Sequence, residues 1–283
     1  MGNPGTPGAA GGKIDLHSHS RASDGQYSAP EVAERAAAAG LRVWALCDHD
    51  TVAGLPAAAT AAARLGIRLV PGIELSAFLD RKEIHLLGHF VDPAHPTLKR
   101  FEDVLADQRR ERMHRIVREL ATLGVRVQVA DIEKWGDGKT IGRPHVARAI
   151  VETGVVATVK EAFDRFLGEG QPAYVPRFRL EADEAVRLVR GAGGAATVAH
   201  PGVSRLERHE LERLAAAGVV GIEVHHPDQN PSVREKYLRL AEAFDLIATA
   251  GSDFHGEAVA PGRHLGDVSM DPELFERLEQ RRP

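Results

Sequence analysis

Cysteine is almost absent from this chain: Cys47 is the single thiol in 283 residues. No internal disulfide can form and no Cys-rich structural zinc site can be built. The usage fits a reducing, cytoplasmic setting, with Cys47 as a small core residue. Aromatic residues are sparse at 5%, with two Trp and three Tyr. That leaves no stacking run of the kind single-strand nucleic-acid binders use. Positive charge is not in excess, since 36 Lys and Arg face 40 Asp and Glu for a formal net charge of −4. A global basic field for nucleic acid is therefore excluded. No apolar run is long enough to span a bilayer. The Gly/Pro/Ala-rich start, residues 1–12, lacks the charged and apolar regions of a signal peptide and reads as a disordered leader.

What the chain does carry is length and alternation. With 283 residues it can bury one large α/β core, or one core interrupted by an insertion. Apolar runs predict strands near 13–18, 41–47, 67–75, 83–90, 195–199, 219–224 and 246–250. Helical stretches at 29–39, 52–65, 181–192, 207–217 and 231–244 fall between several of them. Ser28 and Pro30 supply a start signal for the first helix, and Gly40 a stop. Such alternation implies parallel strands with crossover helices. The expectation is a distorted (β/α)7 barrel. An open doubly wound sheet is the alternative, but it would spread strand ends along a line, whereas a barrel gathers them around one mouth.

The alternation breaks at 97–175, which reads as helices at 97–122, 129–135, 143–153 and 158–167. The predicted organisation is a barrel of 13–96 and 176–283 with 97–175 as a helical insertion capping the C-terminal mouth. Residues 99–179 hold 16 Lys and Arg against 12 Asp and Glu, while the remainder holds 20 against 28. The basic segment is either a solvated helix face or an attraction for an anionic substrate.

The chemistry-bearing residues recur where apolar runs close. His17 and His19 lie in Asp-Leu-His-Ser-His, and residues i and i+2 of a strand share a face. Further clusters are Cys-Asp-His-Asp (47–50), Gly-Ile-Glu-Leu-Ser (72–76), Glu-Ile-His-Leu-Leu (83–87), Val-Ala-His-Pro-Gly (198–202) and Gly-Ser-Asp-Phe-His-Gly (251–256). The candidate metal ligands are His17, His19, Asp24, His49, Glu74, His85, His200, Asp253 and His255. His89 shares strand parity with His85 and competes for its role. Nine ligands are too many for one ion and suit two or three. Two or three divalent ions outweigh three carboxylates in charge, so the site should prefer a polyanion such as phosphate to a neutral amide.

Together these residues resemble the PHP family, named for polymerase and histidinol phosphatase. The resemblance runs from Lys13 through nearly the whole chain. It implies a distorted seven-stranded barrel and a site for manganese, iron or zinc. It further implies one ion on His17, His19, Glu74 and Asp253, a second on Glu74, His85 and His200, and a third on Asp24, His49 and His255. Gly-Arg-Pro-His-Val-Ala-Arg (142–148), Tyr-Val-Pro-Arg (174–177) and Gly-Ile-Glu-Val-His-His-Pro (221–227) resemble a stand-alone bacterial subgroup of the family. Its members remove the 3′-phosphate of nucleoside 3′,5′-bisphosphates, leaving the 5′-monophosphate, and some relatives trim the 5′ ends of short RNA. The expected reaction is in-line attack by a metal-bound hydroxide, with Glu74, Asp253 and His200 as the catalytic set.

Arg143, His145 and Arg177 are the candidates for a second phosphate, because the guanidinium fork fits phosphate oxygens. His225 and His226 follow a strand and are candidates for substrate contact and leaving-group protonation. Asp15 and Asp48 are candidates for orienting ligating histidines, and Asp50 and Thr51 for capping helix 52–65. The expected partner is a small phosphorylated nucleotide, with no membrane and no stable protein partner. Competing readings are an exonuclease on short oligoribonucleotides, a histidinol-phosphatase-like enzyme, an amidohydrolase-type hydrolase and a non-catalytic metal-binding module.

Overall fold

The computed structural model describes residues 12–134 and 142–283. Nearly all of the predicted leader and the last residue of predicted helix 129–135 lie outside the described residues. The strands are β1 (Lys13–Asp15), β2 (Leu41–Leu46), β3 (Arg68–Leu79), β4 (Lys82–His89), β5 (Ala195–Val198), β6 (Gly221–His225) and β7 (Ile247–Ala250). They form one sheet in sequence order. Its two edges meet through Leu16 N–H donating to Ala250 O at 3.0 Å, Asp253 N–H to His17 O at 2.9 Å and His19 N–H to Phe254 O at 2.8 Å. These bonds close the sheet into the expected barrel where the chain leaves β1 and β7.

The barrel is not all-parallel, as strand–helix alternation had implied. β3 pairs antiparallel with β4, and β4 antiparallel with β5. Only Asp80 and Arg81 separate β3 from β4. A parallel return needs a dozen or more residues, so a hairpin is the one connection available. Asp80 takes a left-handed φ of 55° to make it. Reversal of β4 puts His85 opposite Ser76 and sends His89 to the far end, opposite Gly72.

The helices over the barrel are α1 (Ala29–Ala38), α2 (Leu55–Leu65), α7 (Ala182–Gly191), α8 (Arg208–Ala217), α9 (Pro231–Ala243) and α10 (Pro272–Gln280). Glu31 accepts from Ser28 N–H at 2.8 Å, so the predicted start of α1 is a working cap. α10 was not anticipated from the sequence. Asp271 caps it by accepting from Glu273 N–H at 2.8 Å, and Phe275 and Leu278 bury against Ile14, Val43 and Ile247. Each fully buried side chain of this size stabilises by about 1.5–3 kcal/mol.

A second compact unit, Arg100–Arg179, separates from the unit formed by the chain up to Lys99 and Leu180–Pro283. Within it lie most of α3 (Pro96–Thr122), α4 (Val129–Glu133), α5 (Arg143–Glu152) and α6 (Val159–Ala162), which continues as a π-helical turn over Phe163–Leu167. It has its own core of Met113, Ile116, Leu120, Ile132, Ile150 and Leu167, among others. No helix among the described residues is long and apolar enough to cross a membrane.

Candidate metal centre

Glu74 of β3 is the hub of the barrel's side-chain cluster and is 1% exposed. Its Oε1 lies 2.8 Å from His85 Nδ1 and 3.1 Å from His200 Nε2. Its Oε2 lies 3.2 Å from His17 Nε2, 3.1 Å from His19 Nε2 and 3.3 Å from His49 Nδ1. One carboxylate therefore meets five imidazoles from four segments of chain. Asp253, following β7, brings Oδ1 to 3.4 Å from His17, 3.1 Å from His19 and 3.5 Å from His255. Asp24, in the loop after β1, approaches His255 at 3.3 Å, His19 at 3.6 Å and His49 at 3.7 Å.

Ligand atoms fall within 4.8 Å of one another in three overlapping groups: His17, His19, Glu74 and Asp253; His19, Asp24, His49 and His255; and His49, Glu74 and His85. His200 joins through Glu74. His19 is shared by two groups, which the resemblance had not implied.

The donors fit divalent cations. Buried Nδ1 atoms of His19, His49, His85 and His200 have no hydrogen-bond partner. His85 Nδ1 is close to Glu74 at 2.8 Å but lacks hydrogen-bond geometry. Orphaned buried nitrogens each cost about 1–3 kcal/mol unless something binds them. An all-imidazole and carboxylate set suits manganese, iron or zinc. The electrostatics agree. Burial pushes the Glu74 carboxyl up, but the charges of His49, His17 and His85 outweigh it and hold it well below its ordinary value. Asp253 is held low in the same way, by His17, His19 and His226. Burial disfavours a charged His19, yet Asp253 and Glu74 raise it to about 9. Burial dominates at His49, which falls to about 4. The cluster as a whole draws positive charge inward.

The surrounding residues divide differently from expectation. His89 is no competitor for His85: it lies in the barrel interior, with Nε2 2.9 Å from Leu16 O and Nδ1 3.3 Å from Thr197 Oγ1. Asp15 orients no imidazole. It accepts from the backbone N–H groups of His17, Ser252 and Gly266 at 3.3, 2.9 and 2.9 Å, tying β1 to the segments after β7. Asp48 accepts from Ser20 N–H, Ser20 Oγ and Ser23 Oγ, each at 2.7 Å, and so pins the loop that carries Asp24. Asp50 accepts from Ser76 N–H at 3.0 Å, and α2 starts later than expected, behind Gly54.

His226 is fully buried, with Nε2 3.3 Å from Asp253 Oδ2. His225 is half-buried, and burial together with Arg234 lowers its pKa. Arg143, His145 and Arg177 all belong to the helical unit. Arg177 is exposed. His145 Nδ1 accepts from Gly142 N–H at 3.0 Å and caps α5. Arg143 donates to Leu167 O at 3.2 Å, with its guanidinium 5.4 Å from the Tyr174 ring centre and 5.7 Å from that of Phe163. Arg112, half-buried beside it, donates to Val175 O at 2.8 Å.

Two residues of the centre were missed from sequence. Glu223 is 1% exposed and contacts His17 and His200. Its signal was a carboxylate between Ile222 and Val224 in a strand that otherwise reads as buried. Arg263 bridges Asp253 and Asp228. It sits in a loop with no motif around it.

A PHP domain model matches residues 15–169. The chain is 38% identical, over 92% of its length and 92% of the relative's, to the 3′,5′-nucleoside bisphosphate phosphatase of Chromobacterium violaceum. It is 36% identical to a 5′-3′ exoribonuclease of Haemophilus influenzae, over 86% of this chain and 90% of the other. A crystal structure from Bifidobacterium adolescentis, assigned as a metal-dependent phosphoesterase, superposes with a TM-score of 0.76 at 32% identity. That match covers 95% of this chain and 96% of the other.

Proposed function

The chain belongs to the PHP family of metal-dependent phosphoesterases, and on that premise we propose that it is a phosphatase removing the 3′-phosphate of nucleoside 3′,5′-bisphosphates. The products are the nucleoside 5′-monophosphate and inorganic phosphate. The Chromobacterium violaceum relative, a 3′,5′-nucleoside bisphosphate phosphatase 38% identical over 92% of both chains, carries the choice of substrate, and an anion cradle within the helical unit is compatible with it. Arg112 and Arg143 lie close enough that, after burial, Arg143 is what most lowers the Arg112 pKa. Neither has a carboxylate partner among the described residues. Two half-buried guanidinium groups that repel one another make a cradle for an anion, and phosphate matches the fork.

The residues proposed to hold divalent ions are His17, His19, Glu74 and Asp253; Glu74, His85 and His200; and Asp24, His49 and His255. Ions there would supply positive charge against phosphoryl oxygens and make water a nucleophile at neutral pH. The protein's own contribution is geometric. Glu74 offers both oxygens to the centre at once. Asp253 is steadied by His226 and Arg263 on its outer oxygen. His200 and Asp253 take left-handed φ values of 23° and 51°, strain that the surrounding hydrogen bonds must hold in place.

A phosphate-release assay with added Mn²⁺ tests the substrate. Adenosine 3′,5′-bisphosphate should yield the 5′-monophosphate, with 5′-monophosphates and histidinol phosphate poor substrates. Release only from histidinol phosphate would overturn the choice. A second reading, 5′-to-3′ trimming of short RNA, is favoured by the Haemophilus influenzae relative. Mononucleotides released from a short 5′-phosphorylated RNA, faster than phosphate from the bisphosphate, would establish it instead.

A further inference from the structure

The geometry points to Glu223 as a positioning residue that orients two ligand histidines with one carboxylate, an inference that rests on the metal reading above. Glu223 lies in β6 and is 1% exposed. Its Oε1 is 3.0 Å from His17 Nδ1. Its Oε2 accepts from His200 N–H at 2.8 Å. The first contact sets the His17 ring. With Nδ1–H donated to Glu223, the free lone pair is on Nε2, the atom that faces Glu74 at 3.2 Å and Asp253 at 3.4 Å. The second contact holds the left-handed backbone of His200, where φ is 23°.

Two independent features show that this place is built for the carboxylate. A Cβ at Gly251 would lie 2.2 Å from His17 Cβ and 2.4 Å from Glu223 Oε1, so only glycine leaves room for the pair. Gln229 braces the same join. It donates from Nε2 to Glu223 O at 2.9 Å and accepts on Oε1 from Gly202 N–H at 2.7 Å, two residues beyond His200.

The demand is for two acceptors facing two donors. Glutamine has nearly the same shape but offers one acceptor and one donor. If its oxygen serves His17, its amide N–H₂ confronts His200 N–H. If its oxygen serves His200, its amide donates to His17 Nδ1 and leaves the proton on Nε2, the wrong nitrogen for a ligand. Partners of this kind, behind the ligands themselves, are worth about 10–100-fold in metal affinity.

The test uses the full chain loaded with zinc, which is diamagnetic, and ¹⁵N-histidine NMR with His17 assigned by loss of its signals in His17→Gln. Wild type should show His17 with a proton on Nδ1 and coordination through Nε2. Calorimetric zinc titration of metal-stripped protein should then give an affinity about 10–100-fold weaker for Glu223→Gln. Glu223→Asp, which keeps both acceptors on a shorter arm, should fall between. The thermal midpoint of metal-free Glu223→Gln should change far less than that of the loaded protein. Coordination of His17 through Nδ1 in wild type overturns the inference without any variant, so a misfolded variant does not protect it. Wild-type zinc affinity in Glu223→Gln overturns it as well. Wild type that binds no zinc or manganese refutes the metal reading, and the inference falls with it.

Discussion

His89→Gln should flatten the acid side of the protein's stability curve. His89 is fully buried, with its ring held between Leu16 O and Thr197 Oγ1. Burial pushes its pKa from 6.5 down to about 4, the bond to Leu16 O only partly offsetting it. Between those values the unfolded chain binds a proton that the folded one refuses. Stability is therefore complete above about pH 6.5 and is lost as pH falls toward 4. From pH 7 to pH 5 this one residue should cost about 2 kcal/mol, and by pH 4 about 3 kcal/mol. Glutamine can donate to Leu16 O and accept from Thr197 while remaining neutral. Urea unfolding of metal-stripped wild type and His89→Gln at a series of pH values reads the effect directly. Stripping removes the separate loss of bound ions with acid. The stability difference should shift by about 2 kcal/mol in favour of His89→Gln on going from pH 7 to pH 5, whatever its value at pH 7. Parallel curves would show that His89 takes up its proton as readily folded as unfolded, and the assignment of a dry interior around it would be wrong.

Two further outcomes test the centre and the arginine pair of the helical unit. Glu74→Gln removes the charge that meets five imidazoles. It should nearly abolish turnover and lower the metal content measured by mass spectrometry, and activity within a few-fold of wild type would sink the hub assignment. Arg143→Ala should weaken binding of inorganic phosphate to the metal-stripped protein, measured by calorimetry, about 10–100-fold, the worth of a charged hydrogen bond. Unchanged phosphate affinity would mean that Arg143 serves only the fold.

Periodicity made much of the architecture legible. All seven strands and the helices between them follow from apolar runs and caps such as Ser28. The direction of β4 did not, because the predicted strands stopped at 75 and began again at 83. Both continue as amphipathic extensions, Ser76 to Leu79 and Lys82 onward, which shrink the gap to a two-residue turn. His85 and His89 have the same parity, and local pattern cannot separate them. Only the antiparallel register puts one beside Glu74 and the other at the opposite end. Glu223 left a trace, a charge inside an apolar strand. Arg263 left none, since its partner Asp228 lies 35 residues away in sequence.

The sequence by itself determined the donor chemistry. Six imidazoles, three carboxylates and no thiolate, most of them at the ends of apolar runs, specify a donor set suited to divalent cations wherever the chain folds them together. What only the tertiary structure decided is how the work is divided among them. Glu74 is central because closing the barrel brings four segments, carrying five imidazoles, within reach of its two oxygens. Glu223 and Arg263 matter because β6 and the loop after β7 pack beside His17, His200 and Asp253. Residue type and spacing are local properties. Which oxygen faces which nitrogen depends on the register of strands distant in sequence, and that is settled only when the sheet closes.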